Sequence, residues 1–366
     1  LVLSVANAIG PSPVLVTGGT LKVGNASALG DTTVGTTING GTLDTNSYNL
    51  GAEPITVQGA GVGSNGAIVN NSGTGQNNTL RFVTLNYDTT FGGNSRWDIR
   101  TDNPATTTAA LTGSGFKLTK VGANVVYLVN LGNTGLGDID LTVGELGLQG
   151  TTTLGISTKT LTVASIATLD LYAIASSNVL AKNLDLKGGS AFYVGGGNNV
   201  AMTGNTTLEG NATFTTVNNF TLTGSMIGSG GSSGLTKSGT ATLTLAGTQN
   251  YSGATTINAG TLQLSGTGTI GDVANVTTFE LLDGNHTAGN VTGAGSTLLD
   301  AGAALSAASV SQNTLTIGAG ATLTIAAISG GPSSGGSSLA TVPEPATWAM
   351  LMMAAMGLGI YWRRRR

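Results

Sequence analysis

The chain has 366 residues, of which 40% are apolar, only 8% are charged and 59 are glycine, with a formal net charge of −3. That length could bury a large core, yet the shortage of long and charged side chains excludes an ordinary soluble-enzyme composition and disfavours long helices. Cysteine is absent, which removes disulfides, thiol nucleophiles and thiolate metal sites and fits export to an oxidising compartment.

Residues 1–340 carry 10 Lys and Arg against 16 Asp and Glu, and so acidic a body argues against a nucleic-acid partner. The chain opens without Met on LVLSVANAIG, which reads like the middle of a repeat. The expectation is a missing N-terminal stretch that would hold a secretory signal.

In residues 1–60 the phrases Val16-Thr-Gly-Gly-Thr-Leu21 and Ile38-Asn-Gly-Gly-Thr-Leu43 repeat, with Leu21 and Leu43 twenty-two positions apart. That period predicts one coil. A second phrase, an apolar residue followed by Gly-Asp, recurs at Leu29-Gly30-Asp31, Leu136-Gly137-Asp138 and Ile270-Gly271-Asp272. It predicts a repeated corner with an Asx-type turn.

Residues 80–104 depart from this dialect, with Phe82, Tyr87, Phe91 and Trp97 among Arg81, Arg96, Arg100, Asp88, Asp98 and Asp102. Trp97, Arg96 and Arg100 are the candidate glycan contacts. The plainer account stacks these aromatics inside adjacent coils, with the charges on the solvent face.

From 111 to 330 the dialect resumes. Thr160-Leu-Thr-Val163 with Thr168-Leu-Asp-Leu171 matches Thr314-Leu-Thr-Ile317 with Thr322-Leu-Thr-Ile325, eight positions apart in each case. These read as two faces of one coil joined by a corner, although an antiparallel meander would suit the same spacing. Repeats near one turn per 20 residues give about 15 coils and, at roughly 4.8 Å per rung, a rod of about 70 Å.

The fullest unit is residues 234–265, GLTKSGTATLTLAGTQNYSGATTINAGTLQLS. Leu243 and Leu245 alternate with Thr242 and Thr244, and Leu262 and Leu264 with Thr261 and Gln263, so each segment is a short strand with one apolar face. Nineteen positions separate Leu243 from Leu262, and nineteen separate Leu245 from Leu264. One circuit would bring the second pair over the first, with Asn250, Ser252, Gly253, Asn258 and Gly260 forming the corners.

In its Leu-Thr-Lys, Thr-Leu-Thr-Leu, Tyr-Ser-Gly and Asn-Ala-Gly-Thr-Leu elements this unit resembles the autotransporter-associated β-strand repeat of bacterial surface and secreted proteins. The resemblance implies an all-β fold, a right-handed parallel β-helix or solenoid over residues 1–329. It also implies roles in adhesion, surface display or matrix structure.

Residues 330–341 form a Gly/Ser linker, and residues 342–366 a sorting and anchor segment. In the latter, Pro343, Glu344 and Pro345 precede an apolar run from Trp348 to Trp362, followed by Arg363, Arg364, Arg365 and Arg366. Trp348, Tyr361 and Trp362 would sit at the membrane interfaces and the arginines on the cytoplasmic side. As a helix the run spans about 22 Å against a hydrocarbon core of roughly 30 Å, a marginal single transmembrane helix that arginine snorkelling and local thinning would complete.

The order Pro-Glu-Pro, hydrophobic helix, arginine cluster resembles the PEP-CTERM sorting signal. That resemblance implies an exosortase-type processing enzyme as partner, transient residence in the inner membrane, and delivery to the surface or matrix of a Gram-negative bacterium. Pro343 and Pro345 would disfavour helix and leave Glu344 in an extended segment, as part of a substrate rather than a catalyst.

No cofactor, metal or catalytic residue is expected. His286, in Asp283-Gly-Asn-His286, is the single histidine and reads as a solvated turn residue. The Gly-x-Ser-x-Gly match at 230–234 lacks a strand-to-helix context, and the Gly-x-Gly-x-x-Gly match at 61–66 precedes no helix. Asp138 and Asp140 only faintly suggest a calcium turn. The expected function is a non-enzymatic adhesion or biofilm scaffold. The alternative is a β-helix that binds or cleaves polysaccharide, through Asp98 and Asp102 beside Trp97 or through Asp138, Asp140 and Glu145.

Overall fold

The computed structural model describes residues 1–6, 12–101, 108–176, 178–231 and 233–326. In the strand Thr242–Leu245, Leu243 and Leu245 are buried while Thr242 and Thr244 are half-buried on the outer surface. Leu243 pairs with Leu262 and Leu245 with Leu264 in parallel register. The nineteen-residue spacing is therefore one full circuit, as the leucine pattern predicts. The same holds near the N-terminus, where Leu21 pairs with Leu43 and Val16 with Ile38.

Repetition of this pairing from Val2–Leu3 to Thr322–Ile325 builds a parallel β-solenoid of about 15 turns. The antiparallel meander is thereby set aside. Each circuit has three sides, taken here in chain order. The first side holds Val14–Val16, Thr36–Asn39 and Ala110–Thr112 near one end, and Val200–Met202 through Thr314–Ile317 near the other. Between these groups it runs through turns held by Gly113 N–H to Thr134 O and Thr153 N–H to Gly132 O.

The second side runs from Thr20–Val23 to Thr322–Ile325, and the third from Gln76–Leu80 through Trp97–Ile99, Val125–Val129 and Gly144–Gly150 to Asn285–Thr292 and Ala304–Ser311. Strand parity points every second residue inward, where leucine, valine and phenylalanine form one continuous core. Each fully buried leucine contributes roughly 2 kcal/mol of transfer free energy.

Two matching phrases fall on different sides. Thr160–Val163 and Ala167–Ile174 occupy the second and third sides, whereas Thr314–Ile317 and Thr322–Ile325 occupy the first and second. The phrase encodes a corner between two strands, not a position on the circuit.

Three corners each hold a fully buried lysine. Lys120, between the second and third sides, donates to Val121 O, Gly122 O and Val143 O at 3.0, 2.9 and 3.2 Å. Lys237, between the third and first, donates to Ser238 O, Gly239 O and Ala259 O at 2.9, 2.8 and 2.9 Å. Lys182, between the first and second, reaches Gly137 O at 2.6 Å and Ile156 O at 3.1 Å. Carbonyls that strand pairing leaves over at a corner thus receive a charge-assisted donor.

The Gly-Asp corners differ among themselves. Asp31 makes the expected Asx turn, its Oδ1 accepting from Thr33 N–H. At Asp138 and Asp272 the carboxylate instead accepts from Thr160 N–H and Asn290 N–H on the next circuit, which ties coils together.

The linker, the sorting segment and the expected transmembrane helix at 342–366 lie outside the described residues. Among the described residues no helix is long and apolar enough to cross a membrane.

Candidate functional site

In Trp97–Ile99, parity turns Trp97 and Ile99 inward and Asp98 outward. Trp97 is fully buried, its indole N–H donates to Gly92 O at 2.9 Å, and its ring meets Phe91 edge-on at 5.0 Å. The indole has no free face for a sugar, so the candidate glycan contact at Trp97 is corrected to a core residue.

Asp98 points outward but is equally buried, so the expectation of an exposed charge fails there. Arg96 clamps it with Nε to Oδ1 at 2.9 Å and Nη2 to Oδ2 at 2.8 Å, and Arg100 Nε lies 3.1 Å from Oδ2. Burial pushes the Asp98 carboxyl up while the two arginines oppose it. The hydrogen bond to Asp98 in turn raises Arg96. Arg96 lies over the Tyr127 ring, 4.4 Å from its centroid, and Arg100 also donates to Gln149 Oε1 at 3.2 Å.

Parallel register continues this outward row along the rod as Asp98, Tyr127, Gly147, Asp170 and Tyr193. The Tyr127 ring spans Gly147, where a Cβ would stand 2.5 Å from ring carbons, and its hydroxyl donates to Asp170 Oδ2. Burial, then the Asp170 partner, pushes the Tyr127 hydroxyl well up. Asp170 is 6% exposed, and its Oδ1 has no hydrogen-bond partner. Its carboxyl is raised by burial.

Glu145 pairs with Thr168, two residues before Asp170, and is therefore a diagonal neighbour at about 7 Å by sheet geometry. Burial and then Asp170 raise it, against Arg96 and Lys120. On the other flank Gln149 is in register with Tyr172, and Tyr172 with Gly195. The face thus holds three carboxyl groups of raised proton affinity, Asp98, Glu145 and Asp170, with an amide and three tyrosines.

The candidate residues Arg96 and Arg100 belong to this face, whereas Tyr127, Asp170, Tyr172 and Tyr193 escaped the sequence reading. Their signal is present as outward parity in Val125-Val-Tyr-Leu-Val129, Thr168-Leu-Asp-Leu-Tyr172 and Phe192-Tyr-Val194. Only the lateral register says that those positions are neighbours.

The other carboxylate groupings do not assemble. Asp102 lies outside the described residues, and Asp138 and Asp140 stand on the second side with Lys159 and Lys117 at 3.8 and 3.0 Å, away from Glu145 on the third. His286 is buried rather than solvated, with Nε2 2.9 Å from Asp283 O, and burial lowers its pKa. Residues 61–66 form only a short 3-10 turn at Val62–Ser64. Ser232 of the 230–234 match lies outside the described residues. Among the described residues no group of three or more His, Asp or Glu is placed to hold a metal ion.

Residues 235–264 match the family model of the passenger-associated-transport repeat, and residues 341–366 match the PEP-CTERM protein-sorting motif. This is an exported β-solenoid protein with a PEP-CTERM sorting signal. The repeat match takes in the Lys237 cradle and the Leu243–Leu262 and Leu245–Leu264 ladders, so the family unit coincides with stacked coil and corner. The sorting-motif match contains Pro343, Glu344, Pro345 and the terminal arginines, all outside the described residues, and implies processing by an exosortase. Both matches indicate a cell-surface protein of a Gram-negative bacterium. No match to the chain was found among curated proteins or solved structures.

Proposed function

We propose that this protein is a non-enzymatic scaffold of the extracellular polymer layer, serving adhesion or biofilm cohesion. The observation that carries this reading is the union of a sorting signal with a body whose residues are spent on stacking coil upon coil. Before delivery, the run bounded by Trp348 and by Tyr361 and Trp362 holds the chain in the inner membrane, with Arg363, Arg364, Arg365 and Arg366 on the cytoplasmic side. The exosortase acts near Pro343, Glu344 and Pro345, and the rod passes outward.

A second reading, polysaccharide binding or cleavage, is favoured by Glu145 and Asp170 standing beside three tyrosines. Cleavage requires one carboxyl free to donate a proton and a second free to attack or to activate water. Asp170 is engaged by Tyr127 and Asp98 by two arginines, which favours binding over turnover.

The test is fractionation of cells producing the full chain, a chain lacking residues 342–366, and a Glu344→Ala variant. The full chain is expected at the surface or in the matrix, the deletion in the periplasm or medium, and the variant retained in the inner membrane. Identical distribution of all three would overturn the sorting role.

A further inference from the structure

The tyrosines of the third side are not placed as isolated surface residues. Tyr172 is 44% exposed, and a Cβ on Gly196 would come within 3.0 Å of its ring. Tyr193 lies against Gly195 in the same way, with a Cβ there 2.4 Å from a ring carbon. Both rings therefore lie against the Gly195–Gly196 backbone, from adjacent coils, with Tyr172 exposed and Tyr193 half-buried. Asp170 lies beneath them, more than nine-tenths buried and bonded to Tyr127, and the half-buried Gln149 and Glu145 stand beside them on the neighbouring coil.

The geometry points to a binding strip for a neutral polysaccharide along this face, with Tyr172 and Tyr193 as its floor and Glu145 and Gln149 as its hydroxyl partners. It rests on the reading of the protein as part of a polymer layer and gives that layer a point of attachment. A flat tyrosine offers apolar area to the C–H face of a sugar ring at low entropic cost. The Glu145 carboxyl and Gln149 amide oxygens, on half-buried side chains, accept from sugar hydroxyls.

Charge selects the polymer. Three carboxyl groups, Asp98, Glu145 and Asp170, stand against two guanidiniums, Arg96 and Arg100, and this excess of one negative charge disfavours a polyanion. The strip is an open surface across successive strands, which suits a chain lying along the rod better than a small molecule held in a cavity.

The test is affinity electrophoresis of the purified full chain in gels containing dextran, a mixed-linkage β-glucan, galactomannan or a polyuronate. The native protein is expected to be retarded by at least one neutral polymer and not by the polyuronate. Tyr172→Ala and Glu145→Gln are expected to weaken that retardation about tenfold. Tyr87→Ala, which removes a still more exposed tyrosine on another part of the rod, is expected to leave it unchanged.

No retardation by any neutral polymer, retardation by the polyuronate alone, or equal loss in Tyr87→Ala would each overturn the strip. Circular dichroism of each variant separates lost binding from lost fold. Because the protein is purified, failure of binding is distinct from failure of sorting, which only the cell fractionation reads.

Discussion

Lys120 and Lys237 make the same contact at two different corners of the solenoid, each donating to the carbonyls of the next two residues and to one carbonyl on the following coil. Both sit in the phrase Leu-Thr-Lys-x-Gly, and both glycines, Gly122 and Gly239, have φ of 77°. The following-coil acceptors, Val143 and Ala259, each precede a second left-handed glycine, Gly144 and Gly260. A corner is therefore a transferable module of lysine and stacked glycines.

Replacing Lys237 by Met keeps much of the volume but strands three buried carbonyls without a donor. The expected loss is roughly 3 kcal/mol, measured by chemical denaturation, and Lys120→Met should match it. A loss below about 0.5 kcal/mol at both positions would mean that water replaces the amines.

Burial lowers the Lys120 amine to about 7 and those of Lys182 and Lys237 to about 8, from 10.5. A lysine whose folded pKa lies below its unfolded value holds fewer protons folded than unfolded. Stability then rises with pH across the window from about 7 to 10.5, and the cost of burying the charge is fully present below it. Denaturation midpoints should climb through that window in the native chain and climb less in a Lys120→Met, Lys237→Met double variant.

Gly239→Ala should cost about 3 kcal/mol or more, because the residue is left-handed and the new Cβ would stand 2.3 Å from Thr216 O. Gly18→Ala, where a Cβ meets nothing within 4 Å, should stay within about 1 kcal/mol of the native chain. Thermal unfolding of the pair reads the contrast. Equal effects would remove close stacking as the reason for glycine at these corners.

Trp97→Ala should destabilise by about 3–5 kcal/mol, since it empties a fully buried site against Phe91 and loses the bond to Gly92. Arg96→Ala should cost about 3 kcal/mol for a different reason, leaving the buried Asp98 with Arg100 alone. The second loss should shrink in Asp98→Asn, where no charge remains to be compensated, and the first should not. Urea denaturation of the single and double variants provides the cycle.

The sequence alone determined the class of the body and its period. Alternation of Thr with Leu can bury only one face of a strand, and leucines nineteen positions apart fit one circuit of a coil, although it took the parallel pairing of Leu243 with Leu262 to set the antiparallel meander aside. Composition likewise disfavoured long helices and excluded thiol chemistry from the body, and the Pro-Glu-Pro segment with its arginines carried the address.

Tertiary structure alone decided which outward residues are neighbours. Tyr127 and Asp170 lie two coils apart in the chain yet share a hydrogen bond, because side-by-side registry of parallel strands has no short-range signature. It also decided that Trp97 turns inward while Asp98 turns outward beneath two arginines, since parity within a three-residue strand is fixed by the coils above and below it. The binding strip was invisible for the same reason: its tyrosines and carboxylates meet only when the coils are laid one on another.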